Sequence, residues 1–367
     1  MSDTHLGYAE FDAKNAASGL NVRELDTYRA FEEACSAIRA AKPDLVLHSG
    51  DLFDHPRPPN HAVVVAFQQF GNFARDGIPV VLIAGNHSLP ATRGTVCLLK
   101  AFNAIPGISA VVEGPRRVTV RSVCITAIPH LPVERDLTNA VQAAKPDPSA
   151  RYNILLLHAG LRGGPPRAWT EAMVPRVLIK EKAQLFDYIA LGHYHRPMKV
   201  APMAWYSGAT ERFQGDRSRG KKGFLMVDLV RRRIEHHPVH NRPRVELASI
   251  ECAGLDPVGV LKRVREASTG LEPGSVVGMT LSGLSRELSE KLDLAELRRA
   301  VGPALHVDLH LRRRAGRHAH AEPWDASSLP DRFKAYAMGR VEDPELLESV
   351  LKLAGTYFDR SKEESET

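Results

Sequence analysis

Cysteine is scarce and scattered: Cys35, Cys97, Cys124 and Cys252 are the only four in 367 residues, and no two form a C-x-x-C pair. That excludes a disulfide framework and a thiolate zinc site as organising devices. No apolar stretch reaches the ~20 residues of a membrane-spanning helix, and no secretory leader pattern opens the chain. The expectation is a cytoplasmic, nucleoid-associated protein with no membrane contact. The length allows two or three domains, and 43% hydrophobic residues are enough for substantial cores.

Oxygen and nitrogen ligands, by contrast, are concentrated in five short segments: Asp3-Thr4-His5, Gly50-Asp51 in HSGDLFD, Gly85-Asn86-His87 in LIAGNHS, His158 in NILLLHAG, and Gly192-His193-Tyr194-His195 in YIALGHYH. Carboxylate, imidazole and amide donors without thiolate suit a hard-to-borderline divalent metal such as manganese, and the count is enough for two ions. That chemistry points to two-metal hydrolysis of a phosphate ester. Val46-Leu47, Val80 to Ile83, Ile154 to Leu157 and Tyr188 to Leu191 are short apolar runs typical of strands covered on both faces, and each run delivers its ligand just past its end. Helical patterns lie between them, as at Leu25 to Ala41. Such alternation predicts an α/β core with its ligands at the carboxyl edge of the sheet, where one cleft can gather all five segments.

A carboxylate has two oxygens, so Asp51 is the natural bridge between two ions about 3.5 to 4 Å apart. His193 and His195 are two apart, and an extended backbone points both the same way. The order Asp-x-His, Gly-Asp-x-x-Asp, Gly-Asn-His, His, Gly-His-x-His resembles the calcineurin-like metallophosphoesterases, which implies a four-layer αββα sandwich. Gly208 to Phe213, Lys222-Gly223-Phe224 and the 120 or so residues beyond resemble the SbcD-type DNA double-strand-break nuclease subunits. The resemblance implies a first ion on Asp3, His5, Asp51 and His195, and a second on Asp51, Asn86, His158 and His193. His87 is then not needed as a ligand and is free to face the substrate as a catalytic group. Asp54, three residues after Asp51, is expected to hold the His87 ring and favour its protonated form. The remaining histidines, among them His48, His130 and His306, lack ligand spacing and read as surface or satisfied polar residues.

Three positions depart from the family pattern. Ser88 stands where an aspartate usually follows Gly-Asn-His, and Ser207 where a proline is common. Only Met1 and Ser2 precede Asp3, where family members carry an apolar strand. The expectation is a misassigned start, a vacant central place in a sheet and a fraying terminus around the first ion's ligands.

Arg212, Arg217, Arg219, Lys221 and Lys222 open a basic stretch suited to DNA phosphates without sequence readout. Residues 1–242 read as the nuclease domain. A βαβαβ pattern over 243–314 reads as a small α+β unit, which the resemblance makes a DNA-capping domain. Residues 315–328 have a linker's small, polar composition. Residues 329–367 carry two amphipathic helices, the second opened by Asp343-Pro344-Glu345. The two stripes cannot bury themselves on each other alone, and the resemblance implies docking on an SbcC-type ATPase. The reading is a metal-dependent DNA nuclease working with that ATPase, as a homodimer. A small-substrate phosphodiesterase or phosphatase and a non-catalytic scaffold are the alternatives.

Overall fold

The computed structural model describes residues 1–89, 95–163, 172–213, 220–313, 329–338, 340 and 343–363. The first sheet is parallel, β1 (Val46–His48), β2 (Val80–Ile83) and β3 (Ile108–Val111) in that order. The following strands are β4 (Arg116–Val120), β5 (Val123–Ile128), β6 (Tyr152–His158), the short pair β7 (Gly160–Arg162) and β8 (Met173–Pro175), β9 (Tyr188–Gly192), β10 (Met198–Ala201) and β11 (Ala204–Tyr206). Six of them form a second, mixed sheet in the order β10-β11-β9-β6-β5-β4. A separate hairpin pairs β12 (Gly223–Asp228) with β13 (Arg233–Pro238).

Alternate residues of these apolar strands feed different cores, and that alternation makes the layers. Val80 and Leu82 join a core with Phe31 of α1 (Val22–Ala41) and Phe70 of α2 (Asn60–Arg75), whereas Val81 and Ile83 join Ile154, Leu156 and Ala190 between the two sheets. Leu155 and Leu157 point the other way, toward Leu137 of α3 (Glu134–Ala143) and Ile179 of α4 (Arg176–Lys182). Helices, sheet, sheet, helices is the four-layer sandwich expected from the motifs. Helix α1 starts three residues earlier than its apolar stripe because the Asn21 side chain accepts the N–H groups of Arg23 and Glu24.

The terminus is not frayed, against the sequence expectation. Met1 to His5 are buried, and they run beside the end of β1. The Met1 amine donates to the Leu47 carbonyl at 2.9 Å, Ser49 N–H to Met1 at 3.0 Å, and Asp3 N–H to Gly50 at 3.0 Å. Met1 also lines a cavity of about 790 Å³ bounded by β1, Ile154, Tyr188 and residues 225–227 of the hairpin.

The next unit is a four-stranded parallel sheet around β16 (Val276–Leu284). On one side β16 pairs with β14 (Arg244–Glu246) and then β15 (Ile250–Glu251), and on the other with β17 (His306–Arg313). Helix α5 (Pro257–Ala267) matches its sequence pattern. The helix expected at Leu288 to Ala300 is broken into α6 (Arg286–Lys291) and α7 (Leu294–Ala300), because Asp293 caps the second helix at Ala295 N–H. The unit is tied to the first domain: the Arg242 guanidinium, held by Asp26 of α1 at 2.6 and 2.8 Å, donates to the Gly274 carbonyl at 2.7 Å, and His306 stacks on Phe11 with ring centroids 3.8 Å apart. The linker expected at 315–328 lies outside the described residues.

At the carboxyl end, α8 (Leu329–Met338) packs on α9 (Pro344–Glu363), and Asp343 caps α9 as its start signal required. Leu347, Val350, Leu351 and Ala354 are half-buried and Ala337 is buried, so the pair covers its stripes only in part; Leu346, Tyr336 and Met338 stay exposed.

Candidate metal centre

Four of the donors sit on tight, sharply turned segments, while His158 ends β6. Asp3, His5, Asp51 and His193 all have positive φ, at 53°, 43°, 53° and 110°. Such conformations are costly for non-glycine residues and persist where the surroundings over-determine them. Glycines make room: a side chain at Gly85 would overlap the Asp51 carboxylate, and one at Gly50 or Gly192 would overlap the His158 ring.

These turns bring the seven predicted ligands into one cleft. Asp3, His5 and His195 have donor atoms within 4.8 Å of one another, as do Asp3, Asp51 and His158. His5 Nε2 and His195 Nε2 are 3.2 Å apart, and Asp51 Oδ2 lies 3.9 Å from His5 Nε2 and 3.3 Å from His158 Nε2. The amide oxygen of Asn86 sits 2.8 Å from His158 Nε2 and 3.3 Å from His193 Nδ1. Asp51 therefore lies between His5 and His158, and Asp3 has donor atoms close both to His5 and His195 and to Asp51 and His158. Nitrogen and carboxylate donors that converge without thiolate fit two borderline divalent ions.

Neighbouring groups orient the donors. His158 Nδ1–H donates to the Ser49 carbonyl at 2.7 Å, which leaves Nε2 as the donor toward Asp51 and Asn86. The His193 N–H donates to both Asp3 oxygens, at 2.9 and 3.1 Å. Burial would lower the His158 imidazole, but the Asp51 and Asp3 carboxylates raise it to about 9. Burial raises the Asp51 carboxyl, yet His158, His5 and His87 hold it well below the usual carboxylate range.

His87 stands beside the donors with its side chain 39% exposed to the cleft, its ring edge-on to His5 at 4.7 Å. Asp54 reaches both histidines. Its carboxylate bonds His5 Nδ1 at 3.0 Å and lies 4.0 Å from His87 Nδ1, whose nearer partner is the Asp54 main-chain carbonyl, to which Nδ1–H donates at 2.7 Å. Spacing alone could not decide between two histidines that end up 4.7 Å apart.

Of the basic residues expected to meet DNA, Lys221 is exposed and Arg212 is half-buried, with its guanidinium on the Gly220 carbonyl at 2.9 Å. Lys222 is 1% exposed and cannot reach a phosphate. Arg217 and Arg219 lie outside the described residues. The sequence also missed supporting groups. Ser2 Oγ bonds the Asp3 carboxylate and, at 2.8 Å, Ser207 Oγ; Phe213 sets its ring edge-on to both His5 and His195. His130, read as a bystander, is buried with its ring 6.2 Å from that of His158.

Comparison with known proteins agrees with this geometry. The DNA double-strand break repair protein Mre11 of Methanocaldococcus jannaschii is 28% identical over 335 residues, covering 84% of this chain and 82% of the relative. The Mre11 proteins of Sulfurisphaera tokodaii and Methanococcus maripaludis are 30% and 27% identical over 199 and 243 residues. Those matches cover 53% and 62% of this chain, and 48% and 62% of the relatives. The calcineurin-like phosphoesterase family matches residues 1–197, which hold every donor named above, and the chain belongs to that family.

Proposed function

We propose that the protein is a metal-dependent DNA nuclease that hydrolyses phosphodiester bonds in double-strand-break repair. The observation that carries this reading is the convergence of seven donors from five separate segments on a shared Asp51, in a chain similar over most of its length to a DNA double-strand break repair protein.

Asp3, His5, Asp51 and His195 would hold one ion, and Asp51, Asn86, His158 and His193 the other. Two divalent ions bound there, manganese being the proposed pair, supply Lewis acidity toward the phosphodiester and a nucleophile at neutral pH. The chain's own part is orientation and proton handling. Asp54 and the Ser49 carbonyl fix the tautomers of His5 and His158. His87, anchored through Nδ1–H on the Asp54 carbonyl, keeps Nε2 for the substrate. From there a protonated ring stabilises the developing phosphoryl charge or protonates the leaving 3′-oxygen. Exposed Lys221 and half-buried Arg212 flank a groove with Arg244 at the junction with the next unit, in reach of DNA backbone charge.

The finer reading is exonuclease or endonuclease action at DNA ends or hairpins, as a homodimer with an SbcC-type ATPase docked on α8 and α9. The first test is release of nucleotides from linear duplex and single-stranded DNA by the purified chain in manganese, magnesium or EDTA. Equal activity in EDTA would remove the two-metal mechanism.

A further inference from the structure

Lys222 is among the largest fully buried side chains of the protein. An ammonium group is costly to bury and persists only with polar partners. Its Nζ donates to the main-chain carbonyl of His195 at 2.6 Å, and the same carbonyl accepts the Ala209 N–H at 3.2 Å. The lysine is fixed in turn: its carbonyl accepts the Val239 N–H at 3.0 Å, and the next residue, Gly223, donates to the Ala209 carbonyl at 3.1 Å.

The segment so gripped is the one that needs support. Strand β9 ends at Gly192, so His193 and His195 lie beyond its ladder, and His193 holds a positive φ. The His195 ring meets His5 at 3.2 Å and lies edge-on to Phe213, so its direction depends on how the turn beyond β9 is held. Gly208 packs so tightly on the Arg196–Pro197 peptide that a side chain there would meet Pro197 N at 2.6 Å. The turn after β9 is therefore clamped between residues 207–209 and the lysine. The same 207–209 stretch reaches the opposite ligand, because Ser207 bonds Ser2, which bonds Asp3.

We propose that Lys222 is a positioning residue of the metal centre. By holding the His195 carbonyl it sets the His195 ring against His5 and so tunes one of the two ions; it makes no DNA contact. This rests on the metal-centre reading above. Two effects of the ammonium oppose each other, since a nearby positive charge repels a cation while a fixed ligand attracts it. The hydrogen bond reaches the backbone of the ligand, so positioning is the effect that wins.

The test begins with manganese titration of the wild-type protein by calorimetry, where two bound ions are expected. Fewer than two would overturn the metal-centre reading itself. Lys222→Met should then weaken one ion by ~10- to 100-fold and leave the other unchanged, the usual loss when a group that orients a ligand is removed. Affinity for DNA measured in EDTA should equal that of wild type. Lys222→Gln, which keeps a polar group but is too short for the carbonyl, should show the same selective loss and covers the case in which the methionine variant fails to fold. Three results would overturn the proposal: tighter manganese binding, which would make charge repulsion dominant; weaker DNA binding in EDTA with both ions unchanged; or equal weakening of both ions with a lower Tm in EDTA.

Discussion

The Asp54 carboxylate lies 3.0 Å from Nδ1 of His5, the proposed metal ligand, and 4.0 Å from Nδ1 of His87. His87, the proposed catalytic group, is bonded more closely by the neutral main-chain carbonyl of the same residue, at 2.7 Å. One residue thus serves two histidines through different atoms, and substitution can separate the two services.

Asp54→Ala removes the carboxylate and keeps the carbonyl. Manganese binding should weaken by ~10- to 100-fold through loss of His5 orientation, while turnover at saturating manganese returns close to wild type. Cleavage rate against manganese concentration checks this; a deficit that persists at saturation would mean that the carboxylate acts on His87 after all.

His87→Ala should lower turnover by roughly 100-fold or more, as when a group acting in the transition state is lost. Elemental analysis should find the manganese content unaltered. Loss of an ion would make His87 a ligand, a role its donor-atom proximity to His5 and Asp51 also permits.

In metal-free protein the His158 imidazole titrates at about 9, raised by Asp51 and Asp3 against the effect of burial. A base raised in the folded state stabilises fully below its ordinary pKa of about 6.5 and loses that contribution as pH rises through the folded value. Thermal unfolding in EDTA should therefore show stability falling between about pH 6.5 and 9. With manganese the trend should reverse over the same window, because a ligand imidazole must give up its proton. A Tm in EDTA that stays flat across that range would disprove the ion pair.

Leu346→Glu with Met338→Glu places charges on the exposed face of the α8–α9 pair and should abolish co-purification with an SbcC-type ATPase. Manganese-dependent cleavage by the isolated subunit should stay unchanged. Leu347→Glu and Leu351→Glu, by contrast, strike half-buried positions and should loosen the helix pair itself. Normal partner binding by the Leu346/Met338 variant would place the docking site elsewhere.

Asn86, His158 and His193 were legible because each ends or follows an apolar run, and a covered parallel strand can only release its ligand at its end, as β2, β6 and β9 do. Asp3 and His5, preceded only by Met1 and Ser2, were legible from the motif order. The α/β core followed from the same runs, and the four layers from the resemblance that the motif order carries. Side-chain destinations were less legible. A lysine in a basic cluster reads as a solvated charge, and nothing local marks Lys222 as buried against His195. Asp54 was placed near the correct pair of rings, but a spacing of three cannot choose between them. The breaks at residues 247–249 and at Leu292 went unseen because the apolar pattern runs across both while the caps and the ladder do not.

The Met1 amine, bonded to the Leu47 carbonyl and lowered by burial to about 6, opens onto the cavity between β1 and the β12–β13 hairpin. A segment joined to that amine would start from a buried position beside β1 and the cavity. An affinity handle fused there edits the interior two residues from Asp3 and shifts the turn that carries it. Preparations with and without such a handle should therefore differ in manganese content before any residue of the site is changed.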